Sequence, residues 1–124
     1  KHYLFPLEKR REMLVRVTGG LANVRVVADT GMLVELARRE GADVIVRGLR
    51  GPSDLTFEAQ MAEANRRIGG VETVFLHSRP EYSMISSTIV RDCAAHGAPI
   101  ESMVPGEIVE EIVDAFGVEP GRKG

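Results

Sequence analysis

Three short apolar runs, rich in β-branched residues, alternate with longer stretches of helical periodicity, and this alternation constrains the fold most strongly. The runs cover residues 24–28, 44–46 and 73–76. Nearly continuous apolar runs of this length are typical of strands buried on both faces. Strands that alternate with helices of ten or more residues are typical of a parallel sheet. The sequence therefore predicts an α/β fold in which helices cover a parallel sheet.

Glycine, proline and short polar residues mark the ends of the predicted helices, because they begin or interrupt helical backbone. Pro6 opens the first helix and Gly19-Gly20 follow it. The turn 29–31 caps a second helix. Ser53 or Asp54 caps a third helix that Gly69-Gly70 terminate. The predicted helices span about 6–17, 32–39, 54–68, 86–95 and 105–116.

Length and composition indicate one ordinary water-soluble domain. The chain has 124 residues, of which 44% are hydrophobic and 27% charged, and its formal net charge is -2. A charge this close to zero gives no reason to expect bulk nucleic-acid binding, and no apolar run has the length of a membrane span. The single cysteine, Cys93, fits a reducing compartment, so we expect a cytoplasmic protein. The expected boundaries are a domain over 1–118 and a flexible tail over 119–124.

Two arginines flank a glycine where the second apolar run ends, in the segment Arg47-Gly48-Leu49-Arg50. We interpret this segment as a turn at the carboxyl edge of the sheet, where ligands of open α/β folds bind. A guanidinium presents a planar fork of donors that matches phosphate oxygens, and the following helix start adds unpaired N–H groups. The alternative is an ordinary strand-to-helix loop, and the position at the sheet edge modestly favours phosphate binding.

A narrow polar stripe runs along the helix that follows. Asp54, Glu58, Met61 and Asn65 fall on one line at 100° per residue, with apolar residues on both sides. One interpretation is that a carboxylate and an amide face a pocket. The other is that Glu58 and Asp54 form structural ion pairs with nearby arginines. The spacing favours neither.

A hydroxyl-rich segment, Ser86-Ser87-Thr88, begins the next predicted helix and could bind an anion there, but taken by itself it is better explained by plain helix capping. His77 follows a strand, while His2 and His96 have the context of surface residues. Cys93 is expected to be a small core residue. No zinc-type spacing and no Ser–His–Asp set is present in the sequence, so no candidate nucleophile emerges.

Together these segments resemble the phosphopantetheine adenylyltransferase family. The resemblance runs from Lys1 to about Phe116 and implies a Rossmann-like nucleotidyltransferase fold. Its most diagnostic part is the Arg-Gly-Leu-Arg segment followed by Asp54, Glu58 and Asn65, whereas the Ile-Ser-Ser-Thr segment is shared by many nucleotidyltransferases. The other matching residues are Val46, Phe57, Gln60, Met61, Arg66, the lead-in 1–10 and the segment 82–88.

The resemblance implies transfer of AMP from ATP to 4′-phosphopantetheine, with Mg²⁺, giving dephospho-coenzyme A and pyrophosphate. By position, Lys1 matches a lysine near the reacting phosphoryl groups, Leu33 a main-chain contact to the pantetheine arm, and Arg47 the arginine that holds the acceptor's phosphate. The implied ATP contacts are Gly48, Leu49, Arg50, Glu58, Tyr82, Ser83, Met84, Ile85, Ser86, Ser87 and Thr88.

The sequence departs from the family pattern at one motif. The family's Thr/His-x-Gly-His motif, which carries the catalytic histidine, does not occur in these 124 residues, and His96-Gly97 has the wrong order. We expect a first strand–helix–strand unit to be absent and the 124-residue chain to be inactive by itself. The resemblance further implies a homohexamer and possible feedback by coenzyme A, and no nucleic-acid or membrane partner.

Other functions remain open at this level. One is a nucleotidyltransferase of the same superfold with a different acceptor, which would differ in what Lys1, Leu33 and Arg47 hold. Another is a non-catalytic nucleotide-binding module that lacks the histidine motif. A signalling domain of the response-regulator type is disfavoured, because it would need a lysine late in the sheet and Lys123 lies in the tail.

Overall fold

The computed structural model describes residues 3–117, which group into two compact units. One unit comprises residues 3–28 and 85–117, and the other is Asp29–Met84. The elements are α1 (Leu7–Thr18), α2 (Leu33–Arg39), β1 (Val44–Leu49), α3 (Pro52–Gly69), β2 (Glu72–His77), a 3₁₀ turn (Pro80–Tyr82), α4 (Ser87–Ala95) and α5 (Gly106–Phe116). Within residues 3–117, no helix has the length and apolar content that crossing a membrane requires.

The first unit is a helical layer built from α1, α4 and α5. Its core consists of buried side chains from all three helices and the connecting loop, namely Met13, Val90, Ala94, Ile100 and Ile112. Cys93 packs against this core, as expected for a small apolar residue. Around the core, Glu111 of α5 pairs with Arg16 and Lys9 of α1, and these cations hold the pKa of Glu111 below its ordinary value.

The second unit contains a two-stranded parallel sheet in which β1 and β2 are joined through α3. The register pairs Ile45 with Thr73 and Arg47 with Phe75. Because side chains alternate along a strand, these four residues share one face of the sheet, and it is the face that meets α3. The α/β class predicted from the sequence, with a parallel sheet and flanking helices, is confirmed.

The two faces of this sheet have different environments. Ile45 is buried with Val34, Ala37 and Val71 in the core of the second unit. On the opposite face, Val46 is 56% exposed, and three further apolar side chains are exposed with it. These are Val44, Val74 and Leu76. Within the second unit, helices therefore cover one face of β1 and β2, whereas the strand composition predicted cover on both.

A close approach at Gly69 joins α3 to α2. A Cβ atom built on Gly69 would lie 2.2 Å from Cγ2 of Val34, a side chain with no exposed surface. Only a residue without a side chain can occupy this position without moving the helices apart. Gly70 then ends α3 in the left-handed conformation, with φ of 67°. The predicted role of the Gly69-Gly70 pair as a helix end is confirmed. In addition, Gly69 allows α3 to pack closely against α2.

Strand prediction succeeded in two of the three runs. The predicted strand over 24–28 is wrong, because no ladder forms there in the described structure, and Val24 and Val27 are exposed. An apolar run becomes a strand only when a neighbour satisfies its backbone groups, and none does so here. Conversely, β1 continues past Val46 through Arg47, Gly48 and Leu49, so the predicted turn at Arg47 is also wrong. Pairing with β2 extends the strand to Leu49.

Two predicted helix caps are wrong as well. Asp29 does not cap α2, whose N-cap is Met32. Its carboxylate instead accepts from the N–H of Gly31 and from Arg39, and these contacts, Gly31 first, lower the pKa of Asp29. The N-cap of α3 is Gly51 rather than Ser53 or Asp54, and no side chain caps that helix.

Candidate functional site

A pocket in the second unit collects residues from both strands and two helices. Its volume is about 260 Å³. The start of α2 and one face of α3 form its largely apolar walls, while β1 and β2 contribute one polar residue each. The lining residues are Met32, Leu33, Arg47, Phe57, Glu58, Met61, Ala62, Asn65 and Thr73. Three predicted site residues therefore come together here, and they are Leu33, Arg47 and Glu58.

A two-point ion pair joins Arg47 of β1 to Glu58 of α3. Arg47 Nε donates to Glu58 Oε2 at 2.9 Å, and Nη2 donates to Oε1 at 2.7 Å. The hydrogen bonds from Arg47 are the main cause that lowers the pKa of the Glu58 carboxyl, and the same contact raises the pKa of Arg47. The Glu58 side chain is 11% exposed and that of Arg47 48%. The two interpretations of the polar stripe are thus both satisfied, since the ion pair forms in the pocket wall.

Arg50 is held by the other carboxylate of the stripe. The backbone N–H of Arg50 donates to Asp54 Oδ2 at 3.1 Å, and its Nε lies 3.4 Å from the same oxygen. Asp54 therefore fastens the segment that leads from β1 into α3 instead of capping the helix. The first arginine thus pairs with the second carboxylate and the second arginine with the first, and the two carboxylates lie four residues apart on α3.

Two polar groups in the pocket carry no hydrogen bond within the described structure. Asn65 is 7% exposed, and no side-chain hydrogen bond joins it to another described residue. Thr73 Oγ1 is buried and has no partner. Buried polar groups are nearly always paired, so unpaired ones that line a pocket are suited to a ligand with its own donors and acceptors.

The sequence analysis assigned no site role to Thr73, although the position of this polar residue in an apolar run could have indicated one. Thr73 opens an otherwise apolar run, and alternation places it on the face that also carries Arg47. Asn65 was recognised as part of the polar stripe but was assigned no contact. Met32, which contributes to the apolar wall, gave no signal that distinguishes it from a core residue.

Two predicted ATP contacts, Gly48 and Leu49, lie at the carboxyl end of β1. Gly48 and Leu49 are the last two residues of the strand and pair with Leu76 and His77. Gly48 does not form a turn, and a Cβ atom added there would meet only Ser78 Oγ, at 4.0 Å. The surface above Gly48 is therefore open to an approaching ligand.

The predicted ATP segment 82–88 is divided between the two units. Tyr82, Ser83 and Met84 belong to the second unit, where the Ser83 hydroxyl donates to the carbonyl of Pro80 at 2.9 Å. Ile85 through Thr88 belong to the first unit. There Ser86 is the N-cap of α4 and accepts from the N–H of Ile89 at 3.2 Å, so the predicted capping is confirmed.

Other predicted residues have less to contribute. Lys1, His2 and the predicted tail 119–124 lie outside the described residues. His96 is exposed at the end of α4, where its ring contacts Asp92. Across residues 3–117, no group of three or more His, Cys, Asp or Glu side chains is arranged to hold a metal ion.

The arrangement as a whole is suited to holding a ligand that has both an anionic group and an apolar part. Arg47 supplies cationic donors, Leu33, Phe57 and Met61 supply apolar contact, and the amide and hydroxyl supply hydrogen bonds. These groups can bind and orient a ligand.

Comparison with known proteins defines the class first. The family model described as Cytidylyltransferase-like matches residues 1–93, which include α1 to α3, both strands and most of α4. This is a class of nucleotidyltransferases, and it agrees with the parallel α/β sheet.

Curated relatives then define the family within this class. The phosphopantetheine adenylyltransferase of Symbiobacterium thermophilum is 48% identical over 117 residues, which are 94% of this chain and 72% of that protein. That of Deinococcus radiodurans is 47% identical over 103 residues, 83% of this chain and 62% of that protein. That of Moorella thermoacetica is 42% identical over 118 residues, 94% and 74%. The chain belongs to the phosphopantetheine adenylyltransferase family, and the resemblance seen in the sequence is confirmed.

Proposed function

We propose that the protein transfers AMP from ATP to 4′-phosphopantetheine and releases dephospho-coenzyme A and pyrophosphate. The relatives are named for this reaction, and the chain spans 62% to 74% of the length of the three described above. The observation that carries the proposal is the pocket of the second unit, in which Arg47 lies beside apolar walls, the buried Asn65 and the unpaired hydroxyl of Thr73.

The acceptor matches this pocket group by group. Its phosphate needs a fork of N–H donors, which Arg47 provides. Its pantetheine arm is a flexible chain of methylene groups interrupted by amides. The methylenes are suited to Leu33, Phe57 and Met61, and the amides to Asn65 and Thr73. A main-chain contact to the arm at Leu33 belongs to the same proposal.

The proposed reaction needs no covalent intermediate with the protein. An oxygen of the acceptor phosphate attacks the α-phosphorus of ATP, the bond from that phosphorus to the bridging oxygen breaks, and pyrophosphate leaves. Arg47 contributes by fixing the attacking phosphate and by neutralising part of its charge. The histidine of the family's Thr/His-x-Gly-His motif does not occur in the 124 residues.

The ATP half of the site is proposed from the matched positions. It comprises Gly48, Leu49, Arg50 and Glu58, the segment 82–88, and Lys1 near the reacting phosphoryl groups. Magnesium is proposed as part of the MgATP substrate, where it neutralises the phosphate charge that develops during transfer. The homohexamer, feedback by coenzyme A and a cytoplasmic location are proposed with the same function.

The binding test compares the acceptor with its dephosphorylated form. Calorimetric titration of the chain with 4′-phosphopantetheine and with pantetheine should show tighter binding of the phosphorylated compound. Arg47→Ala should remove that preference, a loss of about tenfold or more in affinity, because a charge-assisted fork is lost. Arg67→Ala, which removes an exposed arginine of α3 outside the pocket, is the control and should change nothing.

Two outcomes would contradict the proposal. Equal binding of pantetheine and 4′-phosphopantetheine would show that Arg47 does not hold the acceptor's phosphate. Failure of the unaltered chain to bind either compound, with retained binding of ATP, would favour a nucleotidyltransferase with another acceptor or a nucleotide-binding module.

A further inference from the structure

Arg47 contacts Glu58 through one edge of its guanidinium, and this leaves the other N–H groups available to a ligand. A guanidinium has five N–H groups, and the carboxylate engages one on Nε and one on Nη2. The two N–H groups of Nη1 and one of Nη2 make no hydrogen bond within the described part of the chain. One N–H of Nη1 and the remaining N–H of Nη2 form a second fork at the tip of the side chain, next to the fork that Glu58 occupies.

This second fork has the geometry that a phosphate needs. Arginine binds phosphate oxygens through two parallel N–H groups, and the Nη1–Nη2 edge supplies such a pair. Arg47 lines the pocket of the second unit, and its side chain is about half exposed while that of Glu58 is nearly buried. The carboxylate can thus retain its contact while an anion binds at the tip.

The buried partner also restricts how the arginine can move. Arg47 is long and has many rotamers, whereas Glu58 projects from the middle of an eighteen-residue helix that packs on both strands. Two parallel hydrogen bonds fix both the position and the plane of the guanidinium, which one contact would not. An arginine held in this way loses less conformational freedom when a ligand binds.

We propose that Glu58 is a positioning residue that orients Arg47, so that the free edge of the guanidinium receives the acceptor's phosphate. This inference rests on the proposed function and deepens it. The resemblance gave Glu58 only a contact to ATP, and the inference adds a role for Glu58 in binding the acceptor. It also differs from a purely electrostatic effect, in which the Glu58 carboxylate repels an incoming anion. Orientation predicts weaker phosphate binding when the carboxylate is lost, whereas repulsion predicts tighter binding.

The decisive variant is Glu58→Gln, which keeps the shape and removes one acceptor and the charge. We expect the dissociation constant for 4′-phosphopantetheine to rise about tenfold and that for pantetheine to stay within about twofold. Glu63→Gln is the matched control, because it is the same change on the same helix at a side chain that pairs with Arg66 and Arg67 instead.

A double-variant cycle separates positioning from direct contact. In an Arg47→Ala background, Glu58→Gln should add no further loss of 4′-phosphopantetheine binding, because the group that Glu58 orients is gone. A full additional loss in that background would overturn the proposal. Tighter binding of the phosphorylated compound by Glu58→Gln, or a loss confined to ATP, would also overturn it.

A measurement without ligand keeps this proposal distinguishable from the proposed function. In nitrogen-15 spectra of the arginine side chains, the Arg47 signals of the unaltered chain should show slow rotation about the Nε–Cζ bond. The same signals should show fast rotation in Glu58→Gln, while circular dichroism confirms that the variant is folded. Fast rotation in the unaltered chain would overturn the positioning role whatever ligand the pocket binds, whereas slow rotation without phosphopantetheine binding would refute only the acceptor.

Discussion

At the scale of single residues, charge pairing organises the site. Arg47 and Glu58 lie eleven positions apart in sequence and form a two-point ion pair, while Arg50 makes a single-point pair with Asp54, one helical turn earlier on α3. The order of these four residues in the sequence indicated that such pairs were possible. It could not indicate whether the carboxylates would face a pocket or only pair, because both outcomes use the same helix face.

The ion pair between Arg47 and Glu58 should make the free energy of unfolding decrease at acidic pH. Arg47 lowers the pKa of Glu58 in the folded chain below its ordinary value of 4.5. Stability from the pair is therefore fully present above pH 4.5 and is lost as the pH falls from 4.5 through the lower folded value. Glu58→Gln should reduce the free energy of unfolding at pH 6 to 7 and make no difference once the carboxylate is protonated in both states.

Urea unfolding at a series of pH values checks this prediction. The difference between the unaltered chain and Glu58→Gln should shrink towards acid, starting below pH 4.5. Glu63→Gln is the control at a more exposed carboxylate and should give a smaller difference throughout. A constant difference between pH 3 and pH 7 would mean that the ion pair does not stabilise the fold.

At the scale of elements, helices were predictable and strand pairing was not. The starts of α1, α4 and α5 could be predicted from Pro6, Ser86 and Pro105, since helix capping is a local property of the chain. Strands need partners from elsewhere. For this reason the apolar run 24–28 is unpaired, and β1 extends through a glycine and an arginine that propensity alone would exclude.

The asymmetry of the sheet gives a matched pair of core substitutions. Ile45 and Val46 are adjacent in β1, but Ile45 is buried under the helices and Val46 is mostly exposed. We expect Ile45→Ala to lower the free energy of unfolding by about 2–5 kcal/mol, since it leaves a cavity. Val46→Ala should cost less than about 1 kcal/mol, since little of its surface leaves water on folding.

Chemical denaturation of both variants measures this contrast directly. The two substitutions delete apolar carbons from the same strand, so strand propensity contributes similarly to both results. Comparable losses for Ile45→Ala and Val46→Ala would show that the face of Val46 is packed in solution.

At the scale of the whole molecule, the chain has a pocket that we propose for the acceptor, and its sequence lacks the family's Thr/His-x-Gly-His motif. The residues proposed to contact ATP occur in both compact units, and the proposed acceptor pocket lies in the second. The sequence predicted separate binding positions for ATP and for the acceptor only through its resemblance to the family. Composition and net charge fitted many soluble proteins, and the place of Thr73 in the pocket became recognisable only from the register of β1 and β2.

The expected consequence is binding without turnover by the 124-residue chain. Because its sequence lacks the Thr/His-x-Gly-His motif, incubation with MgATP, 4′-phosphopantetheine and labelled pyrophosphate should give no label in ATP. A protein that carries the motif ahead of the same residues is the positive control. Exchange by the purified 124-residue chain would contradict the need for that histidine.

The ion pair in the pocket also changes how the protein would respond to its ionic surroundings. The charges of Arg47 and Glu58 cancel at short range, so an approaching anion meets oriented N–H groups rather than a net positive field. Added salt screens long-range fields between exposed charges strongly, but it weakens short directional contacts much less. Anion recognition at this position would consequently be set by shape and would vary little with ionic strength, in contrast to the steep salt dependence of an open basic surface.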